Sequence, residues 1–205
     1  MTRSADYTPL KLTGEEYRKI LKYCARVFAK EWVEKWTPRD EDGKPRFGRE
    51  INFNKKLGPN TIGVLGECAL GKKEGIPVQK TLDDRPEHES DAGWDIIIGG
   101  LRYDIKTQES IRRPLTKYRC NISRILFNKK KDNDGYIWIF MVPYHGMIPP
   151  YAWHAVGWMT KDEFFKKALF HKKGDKSTTG NKFEYFAPLY DVSIKQVHPY
   201  KDIPR

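Results

Sequence analysis

The sequence predicts an α/β protein, a mixed central β-sheet flanked by helices. Three observations carry that expectation. One long segment repeats apolar residues at helical spacing, several short segments rich in Ile, Val, Tyr and Trp read as strands, and the two kinds follow one another without strict βα alternation. No internal repeat or linker divides the 205 residues, so they are read as a single domain. Residues 13–36 are its N-terminal helix, 60–170 its core, and 171–205 a basic loop with a C-terminal segment.

The first helix opens on Thr13 and Glu16, the T-x-x-E spacing of a capping box, in which hydroxyl and carboxylate satisfy free N–H groups of the first turn. Tyr17, Ile20, Leu21, Cys24, Val27, Phe28 and Trp32 then recur along one face, and Pro38 ends the segment. TPRDEDGKPRFGRE, residues 37–50, is polar and turn-rich, as a loop requires. A second helix is expected over TIGVLGECALGKKEG, residues 61–75, capped by Asn60 or Thr61, with Glu67 among small and apolar neighbours. IPVQKTL, residues 76–82, reads as a short strand and DDRPEHES, residues 83–90, as a loop. Beyond a hairpin at 91–108, KYRCNIS (117–123) reads as a strand, with a helix through NISRILFNK (121–129) as the competing assignment. GYIWIFMVP (135–143) is apolar on both faces, which suits a strand in mid-sheet. WHAVGWM (153–159) is a further strand, and TKDEFFKKALF (160–170) opens a helix with Thr160 as N-cap and Glu163 three residues on. HKKGDKSTTGNK (171–182) is a flexible basic loop, and residues 183–200 have strand character.

The hairpin DAGWDIIIGGLRYDIKTQ, residues 91–108, holds the chemistry. Gly99 and Gly100 suit a two-residue turn, because glycine reaches positive φ without steric penalty. Register follows by arithmetic: Ile98 stands opposite Leu101, and Asp95 opposite Asp104. Side chains alternate between faces along a strand, so Trp94, Ile96, Ile98, Leu101, Tyr103 and Ile105 share the apolar face. Asp95, Asp104, Lys106 and Gln108 share the other, with Ile97 and Arg102. Opposed residues have Cβ atoms about 5 Å apart, and like charges there repel. Either one acid is protonated or a cation neutralises both. Oxygen ligands of this kind suit a hard divalent ion, Mg²⁺ above all. The competing account is a half-exposed hairpin in which Arg102 forms an ordinary salt bridge with the acids.

Glu67 on a helix, Asp95 at the start of the hairpin and Asp104-Ile105-Lys106 on its second strand follow in that order. In order and spacing, GVLGECAL and GWDIIIGGLRYDIKT resemble the motif elements of the PD-(D/E)xK phosphodiesterase superfamily. DGYIWIFMVP followed by WHAVGWMTKDEFFKKA is similar to phage-encoded and restriction-type members, and the resemblance spans residues 60–170. Trp94 stands where the family motif has proline, and no Q-x-x-x-Y helix follows at the exonuclease-like spacing, so that subfamily is not implied. The resemblance implies a restriction-endonuclease-like core and a metal-dependent nuclease, acting on DNA rather than RNA, with Mg²⁺ or Mn²⁺ as cofactor. Asp95 and Asp104 would ligate the ion, Glu67 would do so directly or through water, and the Ile105 carbonyl would be a further ligand. Lys106 would orient the attacking water and stabilise transition-state charge. Glu67, Asp95, Asp104 and Lys106 are then the catalytic set. The physics agrees: a divalent ion acidifies bound water and polarises the phosphoryl group, and positioned cations stabilise developing charge. Gln108 is either a helper on the same face or a strand-end surface amide.

The net charge of +11 points to a polyanionic partner, although surface lysines alone can account for such an excess. Arg112, Arg113, Lys117, Arg119 and Arg124 cluster after the hairpin, followed by Lys129, Lys130 and Lys131, and Lys172, Lys173, Lys176 and Lys182 form a second group. Arg112, Arg113, Lys117, Arg119, Arg124, Lys172 and Lys173 are the candidate phosphate contacts, which would make binding salt-sensitive. Arg39, Lys44, Arg46 and Arg49 in the 37–50 loop could also touch phosphates or simply be solvated. The alternative function is a nucleic-acid-binding module with a degenerate nuclease fold, and a protein-interaction factor is a third. Cys24, Cys68 and Cys120 form no CxxC, so they read as small buried thiols in a reducing compartment. His88, His145, His154, His171 and His198 show no zinc spacing, and no P-loop motif occurs. No signal peptide or membrane span is evident, so a cytoplasmic protein is expected, in an infected host cell if the phage resemblance holds. Many relatives in the superfamily are dimers, and the sequence leaves a homodimer open.

Overall fold

The structure, a computed structural model, describes residues 7–35, 58–84, 93–110, 114–115, 118–124, 132–142, 152–176 and 184–205. In chain order its elements are β1 (Thr8–Leu10), α1 (Gly14–Lys35), α2 (Pro59–Lys73), α3 (Val78–Asp83), β2 (Ile96–Ile98), β3 (Leu101–Glu109), β4 (Arg119–Ser123), β5 (Gly135–Val142), β6 (Ala152–Thr160), α4 (Lys161–Lys167), β7 (Leu169–His171) and β8 (Leu189–Ser193), with two short 3₁₀ turns at the end. The expected α/β class is observed. A five-stranded mixed sheet runs in the order β1-β6-β5-β3-β2, with β3 and β5 parallel and the other pairs antiparallel. A second, antiparallel sheet runs β4-β8-β7.

Two apolar clusters explain this layering. On one face of the main sheet, Ile105, Ile137, Ile139, Met141 and Trp153 pack with Tyr17, Ile20 and Cys24 of α1 and Leu65, Cys68 and Leu70 of α2. On the other face, Tyr136, Trp138, Phe140 and Met159 pack with Ile122 of β4, Val192 of β8 and Phe164 of α4. Strand β5 contributes alternate residues to both clusters, which is why its sequence is apolar without alternation. The three cysteines are free and buried, and burial pushes the Cys68 thiol up to about 12. No helix among the described residues is long and apolar enough to cross a membrane.

The helix caps match their sequence signatures. Thr13 N–H donates to Glu16 Oε2 at 2.6 Å, and Glu16 N–H donates to Thr13 Oγ1 at 3.2 Å. Thr160 and Glu163 form the same reciprocal box at α4. Three expectations are corrected. Helix α4 stops at Lys167, and Leu169–His171, read as the helix end and the start of a loop, pair with β8 as strand β7. Helix α2 starts earlier, with Gly58 as N-cap and Pro59 in its first turn, where proline's fixed φ is already helical and its missing N–H is no loss. IPVQKTL is not a strand: Pro77 caps the short helix α3, whose Val78 and Leu82 are buried four residues apart. Strand β1 has no signal at the sequence level. It adds Thr8–Leu10 to the edge of β6, where Pro9 is tolerated because an edge strand has one unpaired side. The loop 37–50 and Pro38 lie outside the described residues.

Helix α2 approaches β3 unusually closely. A Cβ added at Gly66 would overlap Thr107 Oγ1 and stand 2.9 Å from Thr107 Cβ. Glycine is therefore required here for packing, not for backbone freedom. Gly66→Ala is expected to destabilise the fold by about 1–3 kcal/mol through overpacking. Thr107→Ala should recover part of that loss, so the two substitutions will be non-additive in a double-mutant cycle read by urea unfolding. Additive losses would mean that the helix and strand do not meet at this point.

Candidate functional site

The hairpin register matches the arithmetic as far as Ile96: Ile98 stands opposite Leu101, Ile97 opposite Arg102, and Ile96 opposite Tyr103, but the expected pairing of Asp95 with Asp104 is not formed, because the chain leaves the ladder at Asp95. Gly99 and Gly100 have φ of 56° and 80°, the left-handed values that such a turn needs. A side chain at Gly99 would also collide with the C-terminal segment, since its Cβ would lie 2.5 Å from the Pro204 carbonyl oxygen. That segment is tied to the end of α2 by Tyr200 Oη and Arg205, both of which donate to Glu74 Oε1.

Strand β2 ends at Ile96, and Gly93, at φ 92°, redirects the chain. Beyond Tyr103, β3 keeps β5 on one edge and has no strand on the other among the described residues. Asp95 sits at this opening. Its N–H still donates to the Tyr103 carbonyl at 2.8 Å, and its Oδ2 accepts the Ile105 N–H at 2.6 Å, where a neighbouring strand would have placed a carbonyl. The N–H and C=O of a strand residue point to the same edge, so the Ile105 carbonyl faces the Asp95 side as well.

Asp104 and Lys106 stand one pleat apart on a common face of β3, opposite Tyr136 and Trp138 of β5. Lys106 Nζ donates to Asp104 Oδ1 at 2.6 Å, with side-chain exposures of 16% for the lysine and 3% for the aspartate. The aromatic cluster beside them lowers the local dielectric and strengthens the pair. Gln108 continues the same face, opposite Phe140, and its Oε1 is buried without a hydrogen-bond partner among the described residues. Arg102 is not the counter-charge of the acidic pair. It donates through its backbone N–H and Nε to Asp134 and through its guanidinium to Asp132, and these hydrogen bonds hold the Asp134 carboxyl below the usual carboxylate range.

Glu67 is carried by α2. Gly66 lies against Thr107, so α2 covers the Tyr103–Ile105–Thr107 face of β3, opposite to the face that carries Asp104 and Lys106. The Glu67 carboxylate lies back along its own helix, with Oε1 3.8 Å from the Cβ position of Gly63. Among the described residues, no three Asp, Glu, His or Cys side chains gather into a group that could hold a metal. Asp95, Asp104 and the Ile105 carbonyl are nevertheless oxygen donors of the kind that a hard divalent ion takes.

The basic candidates divide. Arg119 is engaged internally: its guanidinium binds Asp191, with Nε at 2.9 Å from Oδ1. Arg124 lies over the Phe170 ring, 5.3 Å from its centroid. Lys172 and Lys173 are exposed just beyond β7. Arg112, Arg113 and Lys117 lie outside the described residues, as do Lys129, Lys130, Lys131 and Lys182. Sequence reasoning missed the buried polar group around Asp191, which is 1% exposed and also meets His171 Nε2 at 3.1 Å and Tyr185 Oη at 3.0 Å. The one available signal was an acid inside the apolar alternation LYDVS.

No family model matches the chain, and no curated protein or solved structure matches it.

Proposed function

We propose that the protein is a metal-dependent nuclease that hydrolyses phosphodiester bonds in DNA, with a PD-(D/E)xK-type site on a restriction-endonuclease-like core. One observation carries the proposal: a nearly inaccessible carboxylate, Asp104, bears an ammonium 2.6 Å away on the same strand face, at a sheet edge that Asp95 leaves open. Burying charge is unfavourable and structural gain from such a pair is small, which favours a chemical role for it. Asp95, Asp104 and the Ile105 carbonyl would hold Mg²⁺ or Mn²⁺, with Glu67 acting through water from its helix. When bound, the ion supplies an acidified water and a polarised phosphoryl oxygen. Lys106 contributes a fixed positive charge beside the scissile phosphate, orienting water and offsetting the negative charge that accumulates there. Tyr136 and Trp138 exclude water from the inner side of the face, so that this charge is poorly screened. The net charge of +11 suits a polyanionic substrate.

A second account, a nucleic-acid-binding module with a degenerate site, draws on the packing of α2, the helix that carries Glu67, against the Thr107 face of β3. Incubation with supercoiled plasmid, linear duplex, single strand and four-way junction, each with Mg²⁺, Mn²⁺ or EDTA, separates the two. Cleavage of at least one substrate with a divalent ion and none with EDTA is expected. Salt-sensitive binding without turnover under any condition would transfer the case to the second account.

A further inference from the structure

Among the described residues, four of the five exposed large apolar side chains fall between positions 165 and 186: Phe165, Leu169, Phe170 and Phe186, the fifth being Ile97. Phe186 is 89% exposed, so nothing in the fold uses its ring. The register of the second sheet shows what surrounds these residues. Ser123, Leu189 and His171 stand side by side across β4, β8 and β7. Arg124 follows Ser123 and donates its N–H to the Pro188 carbonyl at 3.1 Å, while Lys172 and Lys173 follow His171. One end of the sheet therefore gathers Arg124, Lys172 and Lys173 with the Phe186–Pro188 segment. Phe170, one residue inward on the edge strand β7, meets the tilted Tyr190 ring, with centroids 5.0 Å apart, and carries the Arg124 guanidinium over its own ring. Of the acids at this end, Asp175 Oδ2 accepts the Lys172 N–H at 2.7 Å, and Glu184, exposed, pairs through its backbone with Lys176, so the lysines and Arg124 outnumber the carboxylates.

We propose that this end of the β4-β8-β7 sheet binds unpaired nucleic acid, with Phe186 and the Phe170–Arg124 stack receiving bases and Lys172 and Lys173 holding the backbone. An exposed aromatic ring can stack on a base only when that base is free of its duplex neighbours, whereas lysines alone favour the more densely charged duplex. Cationic side chains interleaved with exposed rings thus favour single strands. The inference rests on reading the partner as nucleic acid, and it makes an unpaired segment the form of substrate that the nuclease site would receive.

The test is fluorescence anisotropy of the full chain in EDTA, with a labelled single-stranded oligonucleotide and its matched duplex at one salt concentration. Wild type is expected to prefer the single strand by about ten-fold, and Phe186→Ala to lose about ten-fold for the single strand with little change for the duplex. Phe170→Ala should act in the same direction, with its circular-dichroism melt confirming that it folds; Phe186 is too exposed for its removal to disturb the fold. Equal affinity for the two forms, or an effect of Phe186→Ala that is absent or equal for both, overturns the proposal. Conversion of a wild-type dimer to a monomer by Phe186→Ala in sedimentation also overturns it, because a second copy would then cover the rings. The measurement is made in EDTA, where no divalent ion is present to support cleavage, so a failure of the nuclease assignment leaves it intact.

Discussion

Asp104→Asn is expected to lower divalent-ion-dependent cleavage by about 10²–10³-fold or more, while the protein keeps its fold. Asparagine preserves the shape and the acceptor that Lys106 contacts at 2.6 Å, but removes the negative charge that would attract the cation. Asp104 is only 2% exposed, so solvent cannot replace the missing charge. Glu67→Gln gives the comparison. If Glu67 acts through water from its helix, its loss should resemble that of an outer-sphere group, about 10–100-fold. Single-turnover cleavage of a labelled substrate, with a thermal melt for each variant, measures both. A wild-type rate in Asp104→Asn with an unchanged melt would place the chemistry elsewhere in the molecule.

The hairpin turn is legible because a Gly-Gly pair leaves little freedom: once Gly99 and Gly100 form the turn, pairing follows as far as Ile96, but the expected facing of Asp95 and Asp104 gives way to a chain that leaves the ladder, with the Asp95 carboxylate on the Ile105 N–H. The environment of that hairpin was not legible. The acidic face of β3 could be read as meeting solvent, whereas the cluster beside it is completed by residues of β4, β8 and α4, far away along the chain. Arg119 shows the same limit. Its expected role was a phosphate contact, yet strand pairing places Asp191, 72 residues later, against its guanidinium. Arg102 was the natural local partner for the acids, but Asp134, 32 residues on, takes it instead. Short-range patterns were misread where two periods fit one segment. Ile76 and Val78 alternate as a strand would, while Val78 and Leu82 repeat as a helix would, and Pro77 at the cap decides for the helix. Glu67 was correctly placed on a helix, but no sequence rule says which face of β3 that helix covers; the missing Cβ of Gly66 shows it.

Lys106→Met should destabilise the fold by about 3 kcal/mol, the lower end of the range for removing one partner of a buried pair, since 16% of the lysine side chain still reaches solvent. Methionine keeps the length of the aliphatic stem, so packing against Trp138 changes little and the loss reports the missing ammonium. A divalent ion should then stabilise the two proteins to different extents. In wild type, Mn²⁺ must compete with the ammonium for Asp104, which weakens its net stabilisation. In Lys106→Met that competitor is gone, so Mn²⁺ should bind more tightly and raise the melting temperature further. At about 100 times its dissociation constant, the ion would return about 2.7 kcal/mol, close to the whole loss. The double variant Asp104→Asn/Lys106→Met supplies the control: with neither charge present it should be more stable than Lys106→Met alone and should barely respond to Mn²⁺. Melts of the three proteins with and without MnCl₂ decide the matter without reference to cleavage. An equal response in all three would mean that manganese binds at some other set of oxygens, and the pairing of Asp104 with Lys106 would then be a structural ion pair.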